Sequence, residues 1–406
     1  MTPGFDPAAA TAAYLATISP AAHAKALAYT HGGYWLLLWD AVASVAAAWI
    51  VLRTGVLVRL RARLEQRRPR PFLVVFAVLA VFLLADFVLE LPWNAYAHWW
   101  RERQYGMTSQ ALGGWLTEQA VGLGVGLVML TVLMEALYLL IRRAPRSWWL
   151  WGTGVTAIFI LGVFVLQPLY IEPLYNTYRP APPGPVRDAV VQIAVASHIP
   201  PDKIYVYNGS KQSNRYTANA AGLFGTARIA MSDTMFREGV DVAEVKAVVG
   251  HEVGHYVMQH ALRDSALLAA LALVGFVLTD RLFPWVARVA GAQGVRGIAD
   301  PAGYPVLVIL VAVLGLLATP LVNAITRAAE SEADTYSLQH VNEPDGFARA
   351  LMKTVAYRAA TPGPLEEAIF YNHPSVGSRL RKAMDWKAAH PAPPSAPPAA
   401  SAAPAG

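Results

Sequence analysis

Long runs of apolar residues, separated by short charged or proline-rich segments, dominate the pattern of this chain. Six of them, residues 34–52, 72–92, 116–141, 148–170, 265–283 and 304–323, approach or exceed the ~20 residues with which a helix crosses a bilayer. None carries the polar face that a surface helix of a soluble protein turns to water, so the pattern predicts a polytopic membrane protein. Between the fourth and fifth runs, the character changes. There the Pro-rich "YRPAPPGP" precedes the alternating "KIYVYNG" (203–209) and "RIAMSD" (228–233), which read as strands of a small sheet. A helix is predicted next, because Asp241 followed by Glu244 has the form of a capping box and apolar positions then repeat at helical spacing. It is expected to run on toward the fifth span. Beyond the sixth span, "NAITRAAESEADTYSLQH" (323–340) predicts a second helix, with helical structure continuing to about Trp386. The chain thus divides into an N-terminal segment (1–33), four spans (34–170), a segment with a small sheet (171–264), two spans (265–323), a helical part (324–386) and a Pro/Ala-rich tail (387–406) expected to be disordered.

Composition sharpens this picture. Only 15% of the 406 residues are charged, 55% are hydrophobic, and cysteine is absent. Disulfides, thiolate metal sites and cysteine nucleophiles are therefore excluded, and any metal site must use His, Asp and Glu. The net charge of +6 comes from arginines clustered between apolar runs, as at the flanks of membrane spans, and we expect membrane lipid rather than nucleic acid as the partner. Asp40, Asp86 and Glu135 lie inside predicted spans, where an ionised group is costly; a polar cavity among the helices would accommodate them. The first residues show no basic n-region, so no cleaved signal peptide is expected and the first span would serve as insertion signal.

The candidate chemistry is concentrated in "VVGHEVGHYVMQH" (248–260). On a helix, His251 and His255 are separated by about 40° around the axis and can chelate one ion from a single face. Zinc accepts imidazole nitrogen and carboxylate oxygen, and a catalytic site typically has three protein ligands and an open position for water. Glu252 stands beside the first histidine, where it can take a proton from that water and pass it to a leaving amine. His260 would be rotated about 180° from His251 and about 140° from His255 on a continuous helix, and is not expected to be a ligand. The third ligand must come from elsewhere. Glu330 and Asp334 share a face of the downstream helix, with Glu332 roughly 200° away from Glu330. We assign Glu330 as third ligand and Asp334 as acceptor for a ligand imidazole N–H, although helical geometry alone does not say which face meets the metal and leaves Glu332 open.

These residues, taken with their surroundings, resemble the type I CAAX prenyl protease family of integral-membrane zinc metallopeptidases, in a bacterial form. "AVVGHEVGHYVMQH" (247–260) is similar to the family's gluzincin-like HExxH helix, and "ESEAD" (330–334) to its E-x-x-A-D segment, which points to Glu330 rather than Glu332 as ligand. Residues 203–236, "NHPSVGSRL" (372–380), "ELPWNAYAHWWRERQYG" (90–106) and "QPLYIEPLYNTYRPAPPG" (167–184) extend the likeness over roughly residues 30–386. The resemblance implies a mainly α fold: a polytopic α-helical membrane protein, with helices around a polar chamber and a small α+β zincin-like catalytic domain. It implies one Zn2+ ion, and a peptide laid as an added strand beside the sheet. Asn219 and Ala220 would contact the substrate, His373 would act at the reacting carbonyl, and Arg379 would brace the site by pairing with an acid, Asp334 being the candidate.

The expected activity is that of a zinc endopeptidase cleaving membrane-associated or prenylated (CAAX-type) polypeptides, in a multi-pass protein of the bacterial inner membrane. An alternative within the class is quality control of membrane proteins without a prenyl requirement; a remote one is a transporter with a structural metal site. The arginine-rich loops after the first and third spans read as cytoplasmic, which puts the catalytic segment on the other side, whereas the resemblance places it in the cytoplasm. The sequence leaves the orientation open.

Overall fold

The computed structural model describes residues 5–67, 70–222 and 227–391. Among the described residues, six helical stretches are long and apolar enough to cross a membrane, in the order predicted. They are α2 (Pro20–Thr54), α4 (Pro71–Asn94), α6 (Leu112–Arg143), α7 (Trp148–Leu166), α11 (His260–Ala290) and α12 (Tyr304–His340). Two of them are extended through π turns, α4 into α5 (Arg101–Gln104) and α7 into α8 (Glu172–Tyr175). Their outward faces are apolar, with Ile158 and Leu317 each 72% exposed, as a lipid-facing surface requires. The acids point elsewhere. Asp40 accepts a hydrogen bond from Trp93 Nε1 at 2.6 Å, while Asp86, Glu90 and Glu135 each keep a buried carboxylate oxygen without a partner.

The N-terminal segment is ordered into α1 (Pro7–Ala16), capped by Asp6, and its Tyr14 and Leu15 pack against the C-terminal helical part. The first loop forms α3 (Val56–Arg67), whose Arg61 meets Asp300 in the loop between α11 and α12. These two basic loops therefore lie on one side of the helical layer.

The sheet has four strands in the order β1 (Tyr178–Pro180), β2 (Ile204–Tyr207), β4 (Arg228–Ser232), β3 (Ala218–Ala221). The runs read as strands are β2 and β4, which pair in parallel; β1 and β3 add antiparallel edges. β1 and β3 are only three and four residues long, too short for an alternation to stand out from the loops around them. One face is covered by α9 (Pro185–Ala196) and α10 (Val242–Val257), with Val190, Ile193, Ile204, Ile229, Met231, Val245 and Val249 in a common core. The opposite side of α10 contributes Ala247 to a second core, formed with α12, α13 (Pro344–Thr354) and α15 (Val376–Ala389). A short helix, α14 (Pro364–Phe370), leads into the loop before α15.

Three local expectations need correction. Asp241 does cap α10, accepting from Ala243 N at 2.9 Å, but Glu244 is buried against Lys353 instead of closing a capping box. The HExxH helix does not run on into the fifth span: it ends at Val257, Gln259 takes left-handed backbone (φ 54°), and α11 starts afresh at His260. Conversely, the sixth span and the helix over 323–340 are one uninterrupted α12 of 37 residues. Helical structure at the C-terminus reaches Ala389, and the rest of the expected disordered tail, residues 392–406, lies outside the described residues.

Candidate metal centre

The two helices that carry the candidate ligands can meet because α10 has glycines where they touch. A Cβ added at Gly250 would lie 2.4 Å from Val341 Cγ2, and one at Gly254 only 3.2 Å from Ala333 Cα. Ser337 on α12 donates its hydroxyl to Ala247 O at 2.8 Å, tying the backbones together at the same level. The "G-H-E-V-G-H" run thus combines two functions: histidines toward the site and absent side chains toward α12.

At this crossing, His251 Nε2 and His255 Nε2 are 3.2 Å apart. Glu330 closes the triangle, with Oε2 3.1 Å from His251 Nε2 and Oε1 3.5 Å from His255 Nε2. An ion held tetrahedrally at about 2.0–2.1 Å sets its ligand atoms about 3.3 Å apart, so the three residues fit a single small cation. The polar inventory agrees. Glu330 Oε2 is buried without an aligned hydrogen-bond donor, and two imidazole nitrogens facing a carboxylate are a donor set suited to a cation.

Behind His251, Asp334 Oδ1 lies 2.9 Å from Nδ1, though not in line with the ring N–H. Burial disfavours a charged His251, yet the flanking Asp334 and Glu330 outweigh it and raise its pKa to about 9. Burial pushes the Glu252 carboxyl above its ordinary range, against the lowering pull of His251 and His255 and with Glu330 adding to the rise. His373, in the loop before α15, brings Nε2 to 3.2 Å from Glu330 Oε2. Its burial and the neighbouring Arg358 guanidinium lower its pKa to about 3, so the imidazole is neutral. Arg379 on α15 forms a two-pronged pair with Asp334, as expected.

Asn219 and Ala220 sit on β3, one of the sheet's two edge strands, which packs beside α10. Asn219 lines a polar cavity of ≈ 290 Å³ with Tyr207 and Arg215, and its Oδ1 is buried without a partner.

Sequence reasoning did not foresee the contacts of three residues around the site. His260 is indeed outside the ligand triangle, but the reason differs from the one given: after the break at Gln259 its ring turns back and places Nδ1 2.8 Å from His255 Nδ1. Glu332, the alternative ligand, instead contacts His260 Nε2 at 2.9 Å and pairs with Arg263. Arg358 stands 3.5 Å from His373 Nδ1, and no spacing in the sequence connects them. A left-handed Gln carries no sequence signal of the kind that glycine gives, so the turn that recruits His260 was not legible.

Residues 180–387 match Peptidase family M48, and residues 8–177 match the CAAX prenyl protease N-terminal region, described as five membrane helices. The chain belongs to peptidase family M48. Four candidate spans occupy the stretch matched to the five-helix region. Among similar proteins, an uncharacterized metalloprotease of Bacillus subtilis, YhfN, is 28% identical over 344 residues, covering 82% of this chain and 79% of its own length. The CAAX prenyl protease 1 homolog of Arabidopsis thaliana is 23% identical over 312 residues, covering 72% of this chain and 69% of that protein. The CAAX prenyl protease 1 of Saccharomyces cerevisiae is 24% identical over 323 residues, covering 74% and 69%. In fold, the crystal structure of S. mikatae Ste24p superposes with a TM-score of 0.72 at 20% identity, over 91% of this chain and 90% of that one. This M48 protein is a multi-pass membrane metallopeptidase.

Proposed function

We propose that the protein is a zinc endopeptidase that cleaves membrane-associated polypeptides, with His251, His255 and Glu330 holding one Zn2+. The carrying observation is the triangle of 3.1–3.5 Å between the two Nε2 atoms and the Glu330 carboxylate, with Glu252 on the turn between the histidines. Bound there, zinc supplies a Lewis acid that polarises the scissile carbonyl and lowers the pKa of water toward about 7. The remaining work falls to the protein. Glu252, its proton affinity raised by burial, removes a proton from the attacking water and delivers it to the departing amine. A neutral His373 donates Nε2–H to the carbonyl oxygen as that oxygen gains charge, which needs no protonation of the ring. Asp334, fixed by Arg379, stands 2.9 Å from His251 Nδ1, where its charge favours a proton on Nδ1 and leaves the Nε2 lone pair for an ion.

The peptide would pair with the free edge of β3, where Asn219 can use its unpartnered amide oxygen on the substrate backbone and Ala220 leaves room beside it. Intramembrane acids with unpartnered oxygens favour a hydrated chamber among the helices leading to this edge. The names of the plant and yeast relatives support prenylated, C-terminally CAAX-type substrates; quality control of unlipidated membrane proteins is the other substrate class for the same site. Purified protein, assayed with a farnesylated peptide and its unlipidated twin, decides between them. Glu252→Gln should retain metal and lose about 10²–10⁴-fold in turnover on either peptide; cleavage at the wild-type rate would refute the mechanism.

A further inference from the structure

The break between α10 and α11 sets a second histidine behind the site. Gln259 adopts φ 54° and ψ 39°, so that only Met258 and Gln259 separate the end of one helix at Val257 from the start of the next at His260. The reversal buries His260, 3% exposed, and brings its ring edge-on to His255, with centroids 4.9 Å apart and planes at 75°. Its Nδ1 is 2.8 Å from His255 Nδ1, and its Nε2 is 2.9 Å from Glu332 Oε2. Arg263, one turn along α11, holds the same carboxylate oxygen.

Protons can be placed on this chain in one consistent way. His255 presents Nε2 to His251 Nε2 and Glu330, so as a ligand it keeps its lone pair there and its proton on Nδ1. That N–H points at His260 Nδ1, which must then be an acceptor, and the His260 proton therefore sits on Nε2. Glu332 accepts it. A carboxylate can only accept, and with Arg263 on the same oxygen it stays ionised, so it selects the tautomer of His260, and His260 selects that of His255. The two candidate ligand imidazoles are thus backed independently: His251 by Asp334 and Arg379, His255 by His260, Glu332 and Arg263. Both supporting acids come from α12, the helix that also carries Glu330.

We propose that His260 and Glu332 are positioning residues that fix the tautomer and orientation of His255 for metal binding. The inference rests on the reading of His255 as a ligand, and it gives Glu332 a role distinct from that of Glu330 on the same helix.

The test measures the metal dissociation constant of the detergent-purified apo-protein by competition with a chromophoric chelator, alongside the thermal midpoint of the same apo-protein. His260→Ala and Glu332→Ala should each weaken Zn2+ binding by about 10–100-fold. His260→Asn, whose Oδ1 can take the place of the ring Nδ1 as acceptor, should recover affinity to within a few-fold of wild type. The apo-protein midpoint should not track these changes, because the role is toward the ion and not toward the fold. Glu332 is partly exposed, 40% at its side chain, so its variant tests the chain without opening the packed site. Wild-type affinity in both Ala variants, or His260→Asn binding no better than His260→Ala, would overturn the proposal. Failure of the wild-type protein to bind Zn2+ at all would instead refute the ligand set on which it rests.

Discussion

Arg379 grips Asp334 through two parallel hydrogen bonds, Nε to Oδ2 at 2.8 Å and Nη2 to Oδ1 at 2.6 Å, while the same Oδ1 faces His251 Nδ1 at 2.9 Å. Both partners are buried, Asp334 completely. A carboxylate in that position is tolerable because the planar guanidinium donates to both of its oxygens. The pair links α15, the last of the described elements, to the candidate metal centre.

Arg379→Ala should therefore be among the most damaging single changes away from the ligand triangle. It strands a buried charge, for which about 3–5 kcal/mol is typical, and frees the Asp334 carboxylate to turn from His251. Arg379→Lys keeps the charge but offers a point donor instead of a fork, and should fall between the two. Thermal unfolding in detergent and chelator competition measure the two losses separately. A variant with wild-type values in both would show that the pair is incidental.

The helix crossing at Gly250 makes a different prediction. On helix propensity alone, Gly250→Ala should stabilise α10 by about 0.8–1 kcal/mol. Yet the added methyl would lie 2.4 Å from Val341 Cγ2, on a β-branched side chain with little freedom to move. Steric repulsion should win, with a net loss of about 1–3 kcal/mol and weaker metal binding as α12 is displaced. Val341→Ala in the same chain removes the obstructing methyl and should restore both. The single and double variants compared by thermal midpoint decide the matter: if the single variant is as stable as wild type, the close approach does not control the site.

The spans, the HExxH pair and the acids of α12 were legible because each rests on a local period: about 20 apolar residues for a bilayer, or spacings of three and four on a helix. What escaped depends on one backbone angle or on distant contacts. His260 was set aside as a ligand by extending a helix that in fact stops at Val257, so its contact with His255 could not be foreseen. Glu332 was an alternative to Glu330 for the same reason, since a helical wheel says which acids share a face and not what meets that face. β3, four residues of Ala and Asn, has no strand-forming composition at all, and it is a strand because β4 offers it a free edge.

At the start of α10, Asp241 accepts from Ala243 N and pairs with Arg349 through Nε at 2.8 Å and Nη2 at 2.6 Å. Burial works against its ionisation, but the cap hydrogen bond and the guanidinium prevail and lower its pKa below the ordinary value of 3.8. A carboxylate whose folded pKa is depressed stabilises the fold above its unfolded pKa, and loses that contribution as pH falls through the folded value. Asp241→Ala should cost about 1 kcal/mol near neutral pH, and the difference from wild type should shrink below about pH 4. Unfolding followed from pH 7 downward checks this; a gap that widens with acid would reverse the sign.

Far from the metal, Arg61 of α3 and Asp300 form a buried ion pair that fixes the turn between α11 and α12. Asp300 is heavily used: its Oδ2 also accepts from Arg296 N at 2.8 Å and its Oδ1 from Ala302 N at 3.0 Å. Arg61 adds a bond to Gly294 O at 3.2 Å. Asp300→Ala removes the acceptor of three donors and leaves the buried guanidinium with only the more distant Glu65, 3.9 Å away, so the expected loss is about 3 kcal/mol. Asp300→Asn keeps an oxygen for the backbone N–H groups and should lose less. Replacing both partners, as in Arg61→Met with Asp300→Ala, no longer strands a charge, and should cost less than the sum of the single changes. Because the pair touches neither α10 nor the ligand-bearing half of α12, stability should fall while the Zn2+ dissociation constant of the folded fraction stays at the wild-type value. Thermal midpoints and chelator competition on the four variants read this directly, and a metal affinity that declines in step with stability would show that the two ends of α12 are coupled.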